Sequence, residues 1–319
     1  MATTPVAGPH TDGTARTVRT GGFFLPGDLQ EASSGPWQLG PAWVQWEAPA
    51  DGTSARPLVF VHGGGGQSTD WLGLPGAPGW APLAVAAGFP AYLMDRPGHG
   101  RSPYDSARLG ARTGFPDYAG AAAVFVPPGG GPQADPARHS AWPWDRKPGG
   151  VELDALVASS SGMLLDTALG QELDARRLVD LLRLTGPATL ITHSAGAAGG
   201  WLAASRVPDL VTSVVAVEPI GPPFRDLGAR GVLADGATAI PLAAGGLAGL
   251  PVLVVTGAAS GRAAADRETA AYLQDQAAEV QHLLLESAGI PGNGHGLIFE
   301  ANARDALAPV LRWLQDRQR

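Results

Sequence analysis

The stretch ATLITHSAGAAGGWLAAS, residues 188–205, decides the fold. A β-branched run closes on His193 and Ser194, and the chain then turns to almost nothing but Ala and Gly. A strand that passes at once into a helix needs such small neighbours. The same turn can also exist to push Ser194 outward as a nucleophile, which requires small residues two before and two after it. The second of these is Gly196. The first is Thr192, the largest residue the position tolerates.

The flanking sequence supplies the context. WVQWEAP (43–49), PLVFVH (57–62), PAYLMD (90–95), VTSVVAVE (211–218), PVLVVTG (251–257) and VQHLLLE (280–286) read, with ATLITH, as short buried strands. Continuous apolar runs of this kind suit a parallel sheet covered on both faces. Helical patterns lie between them at 78–87, 171–184, 195–206, 263–278 and 301–317. Alternation of this sort gives an α/β chain with a mostly parallel central sheet and helices on both faces. It breaks between 103 and 170, where residues 127–150 are rich in Gly and Pro yet carry Trp142 and Trp144. Two tryptophans argue for ordered packing. The expected organisation is a flexible arm over 1–22, a core over 23–102 and 171–319, and a cap or lid inserted over 103–170.

Composition narrows the function classes. Of 319 residues, 45% are hydrophobic and 16% charged, with a net charge of −7 and no basic cluster. Neither nucleic acid nor an anionic membrane is an expected partner. The chain has no cysteine, which removes disulfides, thiolate metal sites and cysteine nucleophiles. The first residues hold no apolar core of signal-peptide length, so the default expectation is cytoplasmic. Both a monomer and a homo-oligomer remain open.

Three further features converge on Ser194. VFVHGGGGQSTDW (59–71) ends a strand in His and glycines, and an oxyanion hole needs backbone amides unobstructed by Cβ atoms. Gly64 and Ala195 are the expected donors, with Gly63 as the alternative to Gly64. Among seven histidines, His295 alone occupies a Gly-rich loop between the last strand and the last helix. His62, His99 and His193 lie in turns where packing suffices as a role. For the acid, Glu218 stands at the carboxyl end of a strand, and Pro219 prevents simple continuation into a regular helix. It is chosen over Asp266, because the later loop AASGRAAAD offers no earlier carboxylate. In MDRPGHGRS (94–102), Asp95 is expected to tie down backbone amides. Asp70 and Trp71 are candidates to line an acyl pocket, and Trp142 and Trp144 to wall the site from the cap.

With these residues in place, the chain resembles the α/β-hydrolase superfamily. It is similar to a small bacterial esterase group typified by an Alcaligenes esterase, through GGFF, DRPGHGRS, THSAGAAG, VEP, PVLVV and GIPGNGHGLIFEAN. The resemblance implies a serine esterase with its acid after the sixth strand and a cap ahead of the elbow. Ser194, His295 and Glu218 would then cleave a small-molecule ester or lactone through an acyl-enzyme, without metal or organic cofactor. Amide hydrolysis or acyl transfer on the same residues is the alternative chemistry, and a ligand-binding relative without turnover the alternative class. The four-glycine loop and the proline-rich insertion depart from the pattern.

Overall fold

Strands form where the apolar runs lie, and their alternating side chains feed two separate layers. The computed structural model describes residues 16–126, 137–220 and 240–317. Its main sheet contains β1 (Val18–Leu25), β2 (Ala42–Pro49), β3 (Leu58–Val61), β4 (Ala91–Asp95), β5 (Ala188–His193), β6 (Val211–Val217), β7 (Pro251–Thr256) and β8 (Glu279–Leu284). Their spatial order is β1-β2-β4-β3-β5-β6-β7-β8. β1 and β2 pair antiparallel, as do β2 and β4, and every remaining pair is parallel.

The helices are α1 (Trp80–Ala86), α2 (Ser106–Leu109), α3 (Tyr118–Phe125), α4 (Val151–Ser159), α5 (Thr167–Thr185), α6 (Gly196–Arg206), α7 (Ala263–Asp275) and α8 (Ala303–Asp316). Leu58 and Phe60 of β3 join one core with Trp80 of α1 and Val310 of α8. Val59 and Val61 join the other, with Leu178 of α5, Trp201 of α6 and Leu273 of α7. Successive side chains of a strand point to opposite faces, so one sheet serves two hydrophobic layers.

Two expected boundaries shift. Residues 18–22 are not an arm: β1 begins at Val18, pairing Gly21 with Trp46 and Gly22 with Gln45. Trp46 and Trp43 lie over these glycines, where a Cβ would fall 2.8 and 2.3 Å from their rings. The apolar surface that orders this strand therefore sits on β2. The second shift is at residue 170, which lies inside α5; that helix starts at Thr167, where Asp166 accepts a hydrogen bond from the Leu169 amide at 2.8 Å. The 103–170 interval carries α2, α3 and α4, while 127–136 lie outside the described residues. Among the described residues, no helix is long and apolar enough to cross a membrane.

Small residues after Ser194 let α6 press against the sheet. A Cβ on Gly196 would lie 2.4 Å from the His62 carbonyl oxygen, and one on Gly200 would lie 2.7 Å from Thr192 Cγ2. The glycine one turn further along thus makes room for the threonine. Replacing Gly196 with Ala should cost at least about 1–3 kcal/mol, because the obstruction is backbone that cannot swing aside. Urea unfolding of Gly196→Ala against wild type measures this, and an unchanged midpoint would refute it.

Candidate active site

Ser194 leaves β5 with φ 51°, in the left-handed region. Its amide donates to the Val217 carbonyl at 3.0 Å, and its carbonyl accepts from Ile220 N–H at 3.1 Å and Ala197 N–H at 3.2 Å. The turn is therefore held on both sides. His295 arrives from the loop after β8, placing Nε2 3.0 Å from Ser194 Oγ and Nδ1 3.3 Å from Glu218 Oε2. Neutral His295 can donate through Nδ1 to the carboxylate and accept the serine hydroxyl at Nε2.

Glu218 also adopts a positive φ, 49°, directly after β6. Its Oε1 accepts from Gly257 N–H at 2.6 Å and Ser260 Oγ–H at 2.8 Å, while Arg262 Nε lies 3.3 Å from Oε2. The loop after β7 thus supplies donors to the acid. Burial pushes the Glu218 carboxyl up to about 7, opposed by Arg262 and these hydrogen bonds. Burial and the nearby Arg262 charge lower the pKa of His295. Asp266 sits elsewhere, accepting from Thr256 Oγ1 at 2.7 Å inside α7.

Several supporting residues received no part in the chemistry from the sequence. His193 donates through Nε2 to the His295 carbonyl at 2.9 Å, and its ring lies 4.8 Å from that of His295. Burial holds His193 well below the usual histidine range, so it stays neutral in this contact. On the other side of the loop, Glu300 accepts from the Gly294 amide at 3.0 Å and from Asn293 Nδ2 at 2.9 Å. His139 of the insertion reaches the same carboxylate at 2.8 Å, and Ala141 N–H donates to the Gly292 carbonyl at 2.9 Å. The insertion is therefore pinned to the loop that carries His295.

The glycine loop is held from behind. His62 donates through Nδ1 to the Gly63 carbonyl at 2.8 Å and accepts the Arg96 amide at Nε2 at 3.0 Å. Arg96 Nη1 reaches the Gly63 and Gly64 carbonyls at 3.3 and 3.2 Å, and Arg96 Nε pairs with buried Asp174 at 2.7 Å. A trans peptide places its C=O and following N–H on opposite sides. Anchoring these carbonyls turns the Gly64 and Gly65 amides away from Arg96. By the same geometry, anchoring the Ser194 carbonyl fixes the direction of the Ala195 amide.

A cavity of about 270 Å³ opens on Ser194, lined by Gly63–Gly66, Asp70, His193, His295 and residues of the insertion. Phe125 stacks on His295 at 5.6 Å. Of the residues expected to line the site, Gly64 and Asp70 do so, whereas Trp71, Trp142 and Trp144 do not. Trp71 is buried against Phe60 at 5.0 Å, behind His193. Trp142 meets Trp144 edge-on at 5.0 Å within the core cluster. Their apolar surface is satisfied by packing. Asp95 meets its expectation, accepting from the Ser68 amide at 2.7 Å and the Arg101 amide at 2.9 Å.

Known proteins bear on this arrangement. A family model described as alpha/beta hydrolase fold matches residues 56–228. A relative named "Probable secreted lipase phiG", from a fungal species (strain ATCC 74256), is 29% identical over 313 residues, covering 86% of this chain and 85% of its own. The solved structure of a bacterial esterase matches with a TM-score of 0.68 and 20% identity, covering 100% of both chains. A 2-hydroxy-6-oxo-6-phenylhexa-2,4-dienoate hydrolase from Rhodococcus sp. strain RHA1 matches with a TM-score of 0.53 and 13% identity, covering 94% of this chain and 100% of its own. These two structures share the fold, and the family match spans more than half of the chain; the protein belongs to the α/β-hydrolase fold family.

Proposed function

We propose that this protein is a serine hydrolase of the esterase and lipase type, cleaving carboxylic esters, lactones included, through an acyl-enzyme. The observation that carries the proposal is Ser194 Oγ, raised on a left-handed turn, 3.0 Å from His295 Nε2, with Glu218 at the far ring nitrogen. The lipase name of the fungal relative supports the same chemistry.

In this reading His295 Nε2 takes the Ser194 hydroxyl proton as Oγ bonds to the substrate carbonyl carbon. The carbonyl electron pair moves onto oxygen, met by the Gly64 and Ala195 amides. Each donor of this kind is worth about 3 kcal/mol. When the tetrahedral intermediate collapses, the bond to the leaving oxygen breaks and His295 returns the proton to it. Water then repeats the sequence on the acyl-enzyme and frees the acid. Glu218 holds the ring orientation and offsets the imidazolium charge. Arg96 is a positioning residue: it acts through the Gly63 and Gly64 carbonyls.

Three outcomes are expected. A fluorophosphonate should add once to wild type by intact mass, not at all to Ser194→Ala, and far more slowly to His295→Ala; no adduct on folded wild type would overturn the proposal. Because burial raises the Glu218 carboxyl to about 7, its charged form exists above that pH. The ratio kcat/KM should therefore plateau above about pH 7 and fall as pH drops through it, about tenfold per unit at the limit. A rate flat to pH 5 would contradict the Glu218 role. Arg96→Met should lower kcat by about tenfold to a hundredfold with KM little changed, since a misplaced donor weakens only transition-state contacts. A pure KM effect would remove Arg96 from the positioning role.

A further inference from the structure

The cavity wall carries a carboxylate that the proposed chemistry does not use. Asp70 lies in the short helical turn Ser68–Trp71 and lines the cavity with Ser194, between the glycine loop and Ser160–Ser161 of the insertion. Its Oδ2 receives one long hydrogen bond, 3.3 Å from the Gln67 amide. Among the described residues neither an arginine nor a lysine pairs with it. The nearby charge is Asp95, which is itself met by Arg101 and the Ser68 amide. The same cavity is lined by His193 and His295, whose burial favours their neutral forms.

The rest of the lining is mostly apolar or small: Pro116, Ala121, Val124, Phe125, Leu156 and Met163 among them. Asp70 is half-buried, and a carboxylate set in a mostly apolar recess is normally paired. This one faces the space a substrate would fill, and its partner is missing from the protein itself. Burial and Asp95 push the Asp70 carboxyl up to about 7, against the pull of the Gln67 amide. The shift is the cost that a cation in the cavity would relieve.

Resting on the hydrolase reading above, we infer that Asp70 is a specificity residue that selects esters carrying a positively charged nitrogen. An ionised Asp70 supplies a counter-charge inside an otherwise apolar space, while a neutral substrate of the same shape covers the half-buried carboxylate and leaves it unpaired. The preference therefore belongs to the ionised form of Asp70 and strengthens as pH rises through its titration.

Two matched substrate pairs test this with a charge that does not itself titrate. Butyrylcholine against 3,3-dimethylbutyl butyrate places the cation on the alcohol side. The 4-nitrophenyl esters of 4-(trimethylammonio)butanoic and 5,5-dimethylhexanoic acids place it on the acyl side. Within a pair, the ratio of kcat/KM values cancels the titration of the shared catalytic residues. In at least one pair the cationic-to-neutral ratio should rise about tenfold between pH 6 and pH 8, as a group titrating at about 7 requires. Asp70→Asn should abolish that rise. The wild-type pH series stands whether or not the variant folds.

Calorimetric binding of the same pairs to Ser194→Ala, with Asp70 intact or replaced by Asn, separates this inference from hydrolysis. Cation preference in binding without turnover in wild type would sink the hydrolase reading alone. Turnover of the neutral esters with ratios flat in pH in both pairs would overturn the Asp70 inference alone. A rise that persists in folded Asp70→Asn would overturn it as well.

Discussion

The site depends on a serine held in a backbone conformation that costs about 1–3 kcal/mol for a residue with a side chain. Ser194 keeps φ 51° because its amide and carbonyl are bonded outside the turn, to Val217 and Ile220, while Ala197 N–H closes the turn on the same carbonyl. Gly196 then allows α6 to approach the His62 carbonyl so closely that no Cβ fits. That approach brings the β3 loop beside the serine. The strain, the elbow and the glycine loop are thus one packing solution seen at three positions.

Strand register carries the arrangement sideways. His193 pairs with Val217 across β5 and β6, and Val217 pairs with Val255 across β6 and β7. Ser194, Glu218 and the residues after Val255 consequently leave the sheet at one level. Glu218 repeats the left-handed exit with φ 49°, which turns it out of its strand beneath the His295 loop. A parallel sheet with matched strand ends places chemical groups from distant sequence on one edge, and the loops complete them. The loop after β7 closes on the carboxylate that leaves the end of β6: Gly257, Ser260 and Arg262 converge on Glu218.

The sequence made Ser194, Glu218 and His295 legible because each is marked locally, by small neighbours, by a strand end with proline, or by a Gly-rich loop. The central strands were legible for the same reason. β1 was not, since its ordering surface is Trp43 and Trp46 on another strand. Arg96 reaches Gly63 and Gly64 from 33 and 32 positions away, Glu300 meets His139 across 161, and Arg262 faces Glu218 from another loop; periodicity holds no trace of such contacts. His193 was visible, but its bond to the His295 carbonyl spans 102 positions. Tryptophans show the opposite failure. Composition establishes that Trp71, Trp142 and Trp144 need burial, yet it does not say whether ligand or core provides it.

The four consecutive glycines at 63–66 acquire a physical account from their separate surroundings. A Cβ on Gly63 would lie 2.9 Å from Ser194 Cβ, one on Gly65 1.8 Å from the Ser161 carbonyl oxygen, and one on Gly66 2.0 Å from Asp70 Oδ2. At Gly64 the nearest atom is Met163 Sδ, at 3.4 Å. A loop serving only to expose one amide would need bare backbone beside that amide. Here the closest contacts fall on either side of it, with the serine, the insertion and the acidic wall each touching a different residue. Ser161 N–H also donates to the Gly65 carbonyl at 2.6 Å, so insertion and loop are locked in register. Any shift of the insertion would therefore move the Gly64 amide and the Asp70 wall together. The glycine run makes the shape of the cavity and the direction of its backbone donors a single mechanical unit.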